Sequence, residues 1–467
     1  MPRTTAVSAS LACSHERLQL DVSPCAKDAG FCREPLQRRI AAASARSRSW
    51  DDVFFPGPLV LPGDALALDP REPPQSLEAW RQSRHRNKVT PERKTIYVAP
   101  PPEIDPEFHG ILPKWEVPSM LKAPLKGGCD PPKVEQVWSY LEAFYYPLPV
   151  KLLSDEVRFI PWSDGKSRRT RSSTTTPKHI GLQIGNTVTR ITTRPCPDKV
   201  FPRQLDLNNI LDAAMQALPE DAYALVMMVN HDLYEDEDDD FCCGRAYGGS
   251  RISVASSARY NPFLDDSAGI QREHMWPFSH CNAYMERLCE DAKDDAEPEP
   301  EPKPKKRKRG TSYVPPRPAV DANKHPLGEV IQAGLAAARK PSKRYSGLWL
   351  SRVARTVSHE LGHCFCYAHC VYYACVMQGT AGIVEDVRQP PYICLVCEAK
   401  LGIAIRDLKL EEKENFREVE WQIERYGALA KFCKQWETVP MFAGYRRWLE
   451  KRIEALKVTA TGNDRDY

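Results

Sequence analysis

The stretch His359–Gln378, HELGHCFCYAHCVYYACVMQ, places three histidines, one glutamate, four cysteines and a methionine within twenty residues. Its first five residues read HExxH. On a helix, positions four apart share one face, so His359 and His363 can hold one metal ion. Glu360 then lies beside that ion and can act on its water. Zinc in catalytic sites takes three protein ligands and leaves one position open. His369, ten residues after His359, supplies the third ligand if the chain turns back after the helix. Such an ion lowers the pKa of its water toward ~7 and polarises a carbonyl. Glu360 would take the water's proton and pass it to a leaving amine. The ligand types indicate zinc, and cobalt or iron would fit the same imidazoles.

A second set begins at the next residue. Cys370 and Cys375 are followed, after eighteen residues, by Cys394 and Cys397. This approximates the paired-cysteine spacing of structural zinc sites. Four thiolates leave no open position, so the role is structural. The expectation is two zinc ions per chain, one catalytic and one structural, the second clipping the chain beside His369 to a later loop.

The elements that must position these residues are legible in part. Leu348–Cys364 carries Leu348, Val353, Val357, Leu361 and Cys364 on one face, which predicts the helix bearing HExxH. Val134–Tyr145 and Asp206–Leu218 show the same amphipathic period. Lys94–Pro100, Pro149–Leu153 and Arg251–Ser256 read as strands, and Ala222–Val229 is a continuous apolar run suited to a strand covered on both faces. Together they predict an α/β (α+β) fold. Glu411–Lys457 predicts two C-terminal helices.

The chain has 467 residues, 41 prolines, 16 cysteines and a formal net charge of +3. Mean hydropathy is −0.51. The proline content and polarity predict long unstructured stretches. The expected organisation is a disordered arm over 1–93, the first part of a catalytic domain over 94–281, and a disordered acidic and basic insertion over 282–344. The active-site helix and cysteine segment follow over 345–404, and C-terminal helices over 405–467. The near-neutral charge and the lack of interleaved aromatics argue against a nucleic-acid binder. No apolar run approaches the ~18 residues needed to span a bilayer, and the N-terminus lacks a secretory apolar core. The expected location is intracellular, cytoplasmic and/or nuclear, with Lys303–Arg309 (KPKKRKR) readable as an import signal. In a reducing compartment, clustered cysteines bind metal more often than they form disulfides. His231 with the acidic run 235–240 reads as a solvated loop. Cys242, Cys243, His280, His325 and the N-terminal histidines show no pattern.

The combination HExxHxxxxxHCxxxxCxM, followed by CxxC, resembles the archaemetzincin family of zinc metallopeptidases. The matching residues are His359, Glu360, His363, His369, Cys370, Cys375, Met377, Cys394 and Cys397. The likeness is densest over 346–404 and extends over 94–262, through Asp232–Tyr234, Phe241–Ala258 and Ala258–Pro262. It is absent over the first ninety residues and the insertion. It implies a metzincin-like twisted mixed sheet, with a peptide or protein substrate adding to the sheet's edge beside the active-site helix. Met377 would be the Met-turn residue beneath the catalytic metal. Arg251–Ser256 is the candidate edge. The implied activity is peptidase, with aminopeptidase-like action in eukaryotic members.

One departure stands out. The family's glycine after HExxH is Cys366 here. If the turn needs a positive φ, cysteine costs on the order of 1 kcal/mol. Two readings follow: a zinc-dependent peptidase, and a catalytically weak or inactive zinc protein acting as a peptide-binding module.

Overall fold

The computed structural model describes residues 13–43, 51–121, 130–162, 176–294, 317–340 and 344–462. The basic run 303–309 lies outside the described residues.

The site is built on a mixed five-stranded sheet. Its strands are β1 (Thr95–Ala99), β2 (Val150–Leu152), β3 (Ala222–Val229), β4 (Gly244–Tyr247) and β5 (Ile252–Ser256), in the spatial order β4-β5-β3-β1-β2. The last four in that order are parallel, and β4 runs antiparallel to β5. The edge facing the cleft is therefore β4. This corrects the expectation for Arg251–Ser256, which is an inner strand. The strand itself, Ile252–Ser256, is buried at all five positions, as two neighbours require. A second, six-stranded sheet curls beside the first. It runs from Asp232–Tyr234 through Arg203–Asp206, Thr187–Pro195, His179–Ile184 and Val157–Pro161 to Glu103–Ile104.

Eight helices matter here: α1 (Val134–Phe144), α2 (Leu207–Gln216), α3 (Asn282–Asp294), α4 (Pro326–Ala338), α5 (Arg344–Cys364), α6 (Leu395–Glu411), α7 (Glu418–Lys434) and α8 (Pro440–Gly462). The continuous apolar run of β3 is explained by two cores. Ala224, Val226 and Met228 face the core that holds Val353, Val357 and Leu361 of α5. Leu225, Met227 and Val229 face the core under α2, with Ile210 and Leu211. A strand between two apolar layers has no polar alternation to keep.

Buried ion pairs fix α5 along its length. Arg352 donates to both carboxylate oxygens of Asp265 at 2.7 and 2.9 Å, and Arg355 Nη2 meets Asp386 Oδ1 at 2.6 Å. Removing one member of such a pair strands a buried charge, at about 3–5 kcal/mol.

Two expectations of disorder are corrected. Within 1–93, the described residues form short helices anchored by Phe55 and Trp80, each 1% exposed. Within 282–344, the described ends are α3 and α4, and α4 packs against α8. Short helices broken by prolines show no sustained period, so single buried aromatics carry their packing. Cys25 and Cys289 form a disulfide, which the expectation of metal-binding cysteines did not include. Among the described residues, no helix is long and apolar enough to cross a membrane.

Candidate active site and four-cysteine centre

His359 and His363 occupy the last turns of α5. His359 Nδ1 donates to the Val376 carbonyl and His363 Nδ1 to the Tyr367 carbonyl, both at 2.7 Å. A carbonyl only accepts, so these contacts place the proton on Nδ1 and leave Nε2 bare in both rings. The two Nε2 atoms face one another at 3.0 Å. Two lone pairs so disposed need a cation between them. The distance approaches the ~3.3 Å between two imidazoles on one tetrahedral zinc. His369 completes the group, with the three ligand atoms within 4.8 Å of one another. His369 Nδ1 lies 3.3 Å from Glu72 Oε1, the carboxylate partner that metal-binding imidazoles commonly have. The residues therefore fit a zinc ion.

Burial holds His359 well below the usual imidazole range and His363 down to about 4, so both rings are neutral and ready to ligate. Burial also pushes Glu360 up to about 8, against the opposing charge of Arg245. The Glu360 side chain lies over β4. A Cβ on Gly244 would sit 3.0 Å from Glu360 Oε1. These groups line a cleft of about 920 Å³, walled by β4 and rimmed by Asp238–Asp240.

The fully buried Met377 packs beneath the helix. A Cβ on Gly362 would come within 2.4 Å of Met377 Sδ, so only glycine permits this contact. Cys366 adopts φ +62°, the left-handed conformation that favours glycine. The turn is held from outside by residues with no motif. Gln75 Nε2 donates to the Cys366 carbonyl at 3.0 Å, while Gln75 Oε1 accepts from Ala368 N at 3.1 Å and Lys400 Nζ at 2.7 Å. Trp80 Nε1 donates to the Phe365 carbonyl at 2.7 Å.

The second group, Cys370, Cys375, Cys394 and Cys397, is fully buried, with all four Sγ atoms within 4.8 Å. Cys370 and Cys394 Sγ are 3.4 Å apart, near the ~3.8 Å of two thiolates on tetrahedral zinc. Cys394 caps the start of α6, and its backbone N donates to Cys375 Sγ at 3.2 Å. Cys242 and Cys243 line the cleft rim and join neither group.

The profile of peptidase family M54 matches residues 330–402, which contain both groups. Archaemetzincin-2 of Rattus norvegicus is 23% identical over 412 residues, covering 87% of this chain and 84% of the relative. The chain is similar to the archaemetzincins. Archaemetzincin-2 of Homo sapiens is likewise 23% identical, over 354 residues, 76% of this chain and 71% of that protein. The archaemetzincin of Methanopyrus kandleri is 40% identical over 50 residues, 11% of this chain and 29% of that one. The crystal structure of the M. kandleri protein aligns with 68% of this chain and 97% of its own, at 15% identity and a TM-score of 0.27. Sequence reasoning missed Glu72 and Gln75. They lie almost three hundred residues from the turn they hold, and no local spacing signals them.

Proposed function

We propose that the chain hydrolyses peptide bonds at the three-histidine centre, with Glu360 as general base, in an aminopeptidase-like manner. The observation that carries this reading is the pair of bare imidazole nitrogens facing each other beside Glu360 in an open cleft. His359, His363 and His369 would hold the catalytic zinc, and Cys370, Cys375, Cys394 and Cys397 a structural one, giving two per chain.

Zinc, when bound, supplies Lewis acidity to a water and to the scissile carbonyl. The chain's own residues do the rest. β4 offers its free edge to an extended peptide, which binds as an added strand. Glu360 takes a proton from the attacking water and returns it to the leaving nitrogen. Its burial, which raises its proton affinity, suits that exchange. The acidic rim at Asp238–Asp240 favours a cationic peptide end, which supports aminopeptidase-like action.

The test is turnover of a peptide library by the purified chain and by Glu360→Gln. The expected result is a loss of at least about 100-fold with metal content unchanged. Equal turnover by the variant would refute the role of Glu360. Indifference to N-terminal acetylation would refute the aminopeptidase-like reading alone. No turnover by either protein would favour the peptide-binding module.

A further inference from the structure

A third set of metal-binding side chains lies away from both centres. Cys13 and His15, in the N-terminal segment, meet His274 and Cys281, in the loop leading to α3. One ligand atom from each of the four lies within 4.8 Å of the others. Cys13 Sγ and Cys281 Sγ are 3.2 Å apart, too far for a disulfide bond of ~2.05 Å and close to the spacing of two thiolates on one ion. The two imidazole rings meet edge to face with centroids 5.5 Å apart.

The surroundings argue for a ligand. His15 is 4% and His274 3% exposed, and the Nδ1 atom of each is buried without a hydrogen-bond partner. A buried polar nitrogen left without a partner is unfavourable, and a metal ion would satisfy both. The rings are fixed by stacking, His274 on Tyr284 at 3.9 Å and His15 on Phe278 at 5.2 Å between centroids.

We propose that Cys13, His15, His274 and Cys281 form a third, structural zinc site. Two thiolates and two neutral imidazoles balance the charge of one zinc ion, so the filled site can be buried as a neutral unit. Filling it releases two thiol protons to solvent and involves no redox change. Four protein ligands leave no open position, which excludes catalysis there. The ion would pin the N-terminal segment to the core. The backbone already follows that path: Leu18 bridges Cys281, and Gln19 N donates to the His280 carbonyl at 3.0 Å. The four residues are separated by some 260 positions and match no sequence pattern, so the fold alone reveals them.

The experiment is zinc per chain by elemental mass spectrometry on full-length protein purified under mild reduction. Cys13→Ser and His15→Ala are compared with the parent. Each is expected to lose about one zinc per chain, one ion being what such a site holds. Adding His369→Ala should remove a different one. The difference between parent and variant does not depend on how the other two centres are filled. Unchanged zinc in Cys13→Ser would overturn the proposal. A second measurement needs no variant. In the parent, chelation should expose Cys13 and Cys281 to alkylation, read by peptide mapping. Alkylation indifferent to chelator, or a Cys13–Cys281 disulfide-linked peptide, would overturn it as well.

Discussion

Gln75 offers the sharpest test of how the third histidine is positioned. Its side chain makes three hydrogen bonds around the Cys366 turn, to the Cys366 carbonyl, Ala368 N and Lys400 Nζ. Lys400 is 2% exposed and also lies 5.6 Å above the Tyr367 ring. Gln75→Leu keeps most of the volume and removes all three bonds. Each neutral hydrogen bond contributes about 0.5–1.5 kcal/mol and one to a charged group about 1.5–3. Part of that loss is recovered by water, so a net of about 2–3 kcal/mol against the ordered turn is reasonable. At 1.4 kcal/mol per decade this weakens zinc at the histidine centre by about 30- to 150-fold. The four-cysteine centre is closed by its own ligands and should keep its metal. The assay is competition with a zinc chelator, read by native mass spectrometry as the loss of one zinc from the fully loaded chain, with His369→Ala marking which ion that is. Gln75→Glu retains an acceptor for Ala368 N and Lys400 and loses only the donor to Cys366, so it should fall between parent and Gln75→Leu. Equal zinc affinity in all three proteins would refute the claim that this clamp sets the third ligand.

Cys366→Gly relieves about 1 kcal/mol of left-handed backbone strain, offset by the greater freedom of glycine in the unfolded chain. Parent stability in urea should therefore change little, while zinc affinity of the Gln75→Leu protein should recover about fivefold; no recovery would mean the strain is not coupled to the turn. Cys397→Ser should remove the structural zinc and, through Cys370 beside His369, lower peptidase turnover by about 10-fold or more; full turnover with one zinc lost would separate the two centres. Above about pH 6.5, where the buried imidazoles are neutral in both folded and unfolded chain, Glu360 should make the metal-free chain less stable as pH rises. Burial raises the folded-state pKa of Glu360 to about 8, so its contribution is fully present below about 4.5 and is lost as pH climbs through 8. Between about pH 6.5 and 8, urea midpoints of chelated protein should fall relative to those of Glu360→Gln; parallel midpoints would refute the assignment.

The sequence carries the chemistry of this fold far better than its boundaries. His359, Glu360, His363 and His369 announce themselves because helical spacing fixes their geometry. The run Ala222–Val229 announces a doubly covered strand because it has no polar alternation. The edge was misassigned because Arg251–Ser256 alternates like a one-sided strand, whereas β4 is only four residues long and begins with a glycine. The N-terminal segment was misread because proline and arginine dilute its period, and its order depends on distant partners. Trp80 is held by Phe365, and Glu72 by His369, across nearly three hundred positions. Non-local contacts of this kind leave no periodic trace.

The departure at Cys366 and the order of the N-terminal segment are then two sides of one arrangement. A glycine would make the turn after the active-site helix unaided. This chain places a cysteine there, at φ +62°, and brings up a polar clamp that satisfies the turn's backbone on both sides. The same segment supplies the carboxylate beside His369. The strain is small, about 1 kcal/mol, and three hydrogen bonds are ample to hold it. The N-terminal segment is thus part of the centre's architecture, and a chain without Glu72 and Gln75 would lack what holds His369 and the turn before it.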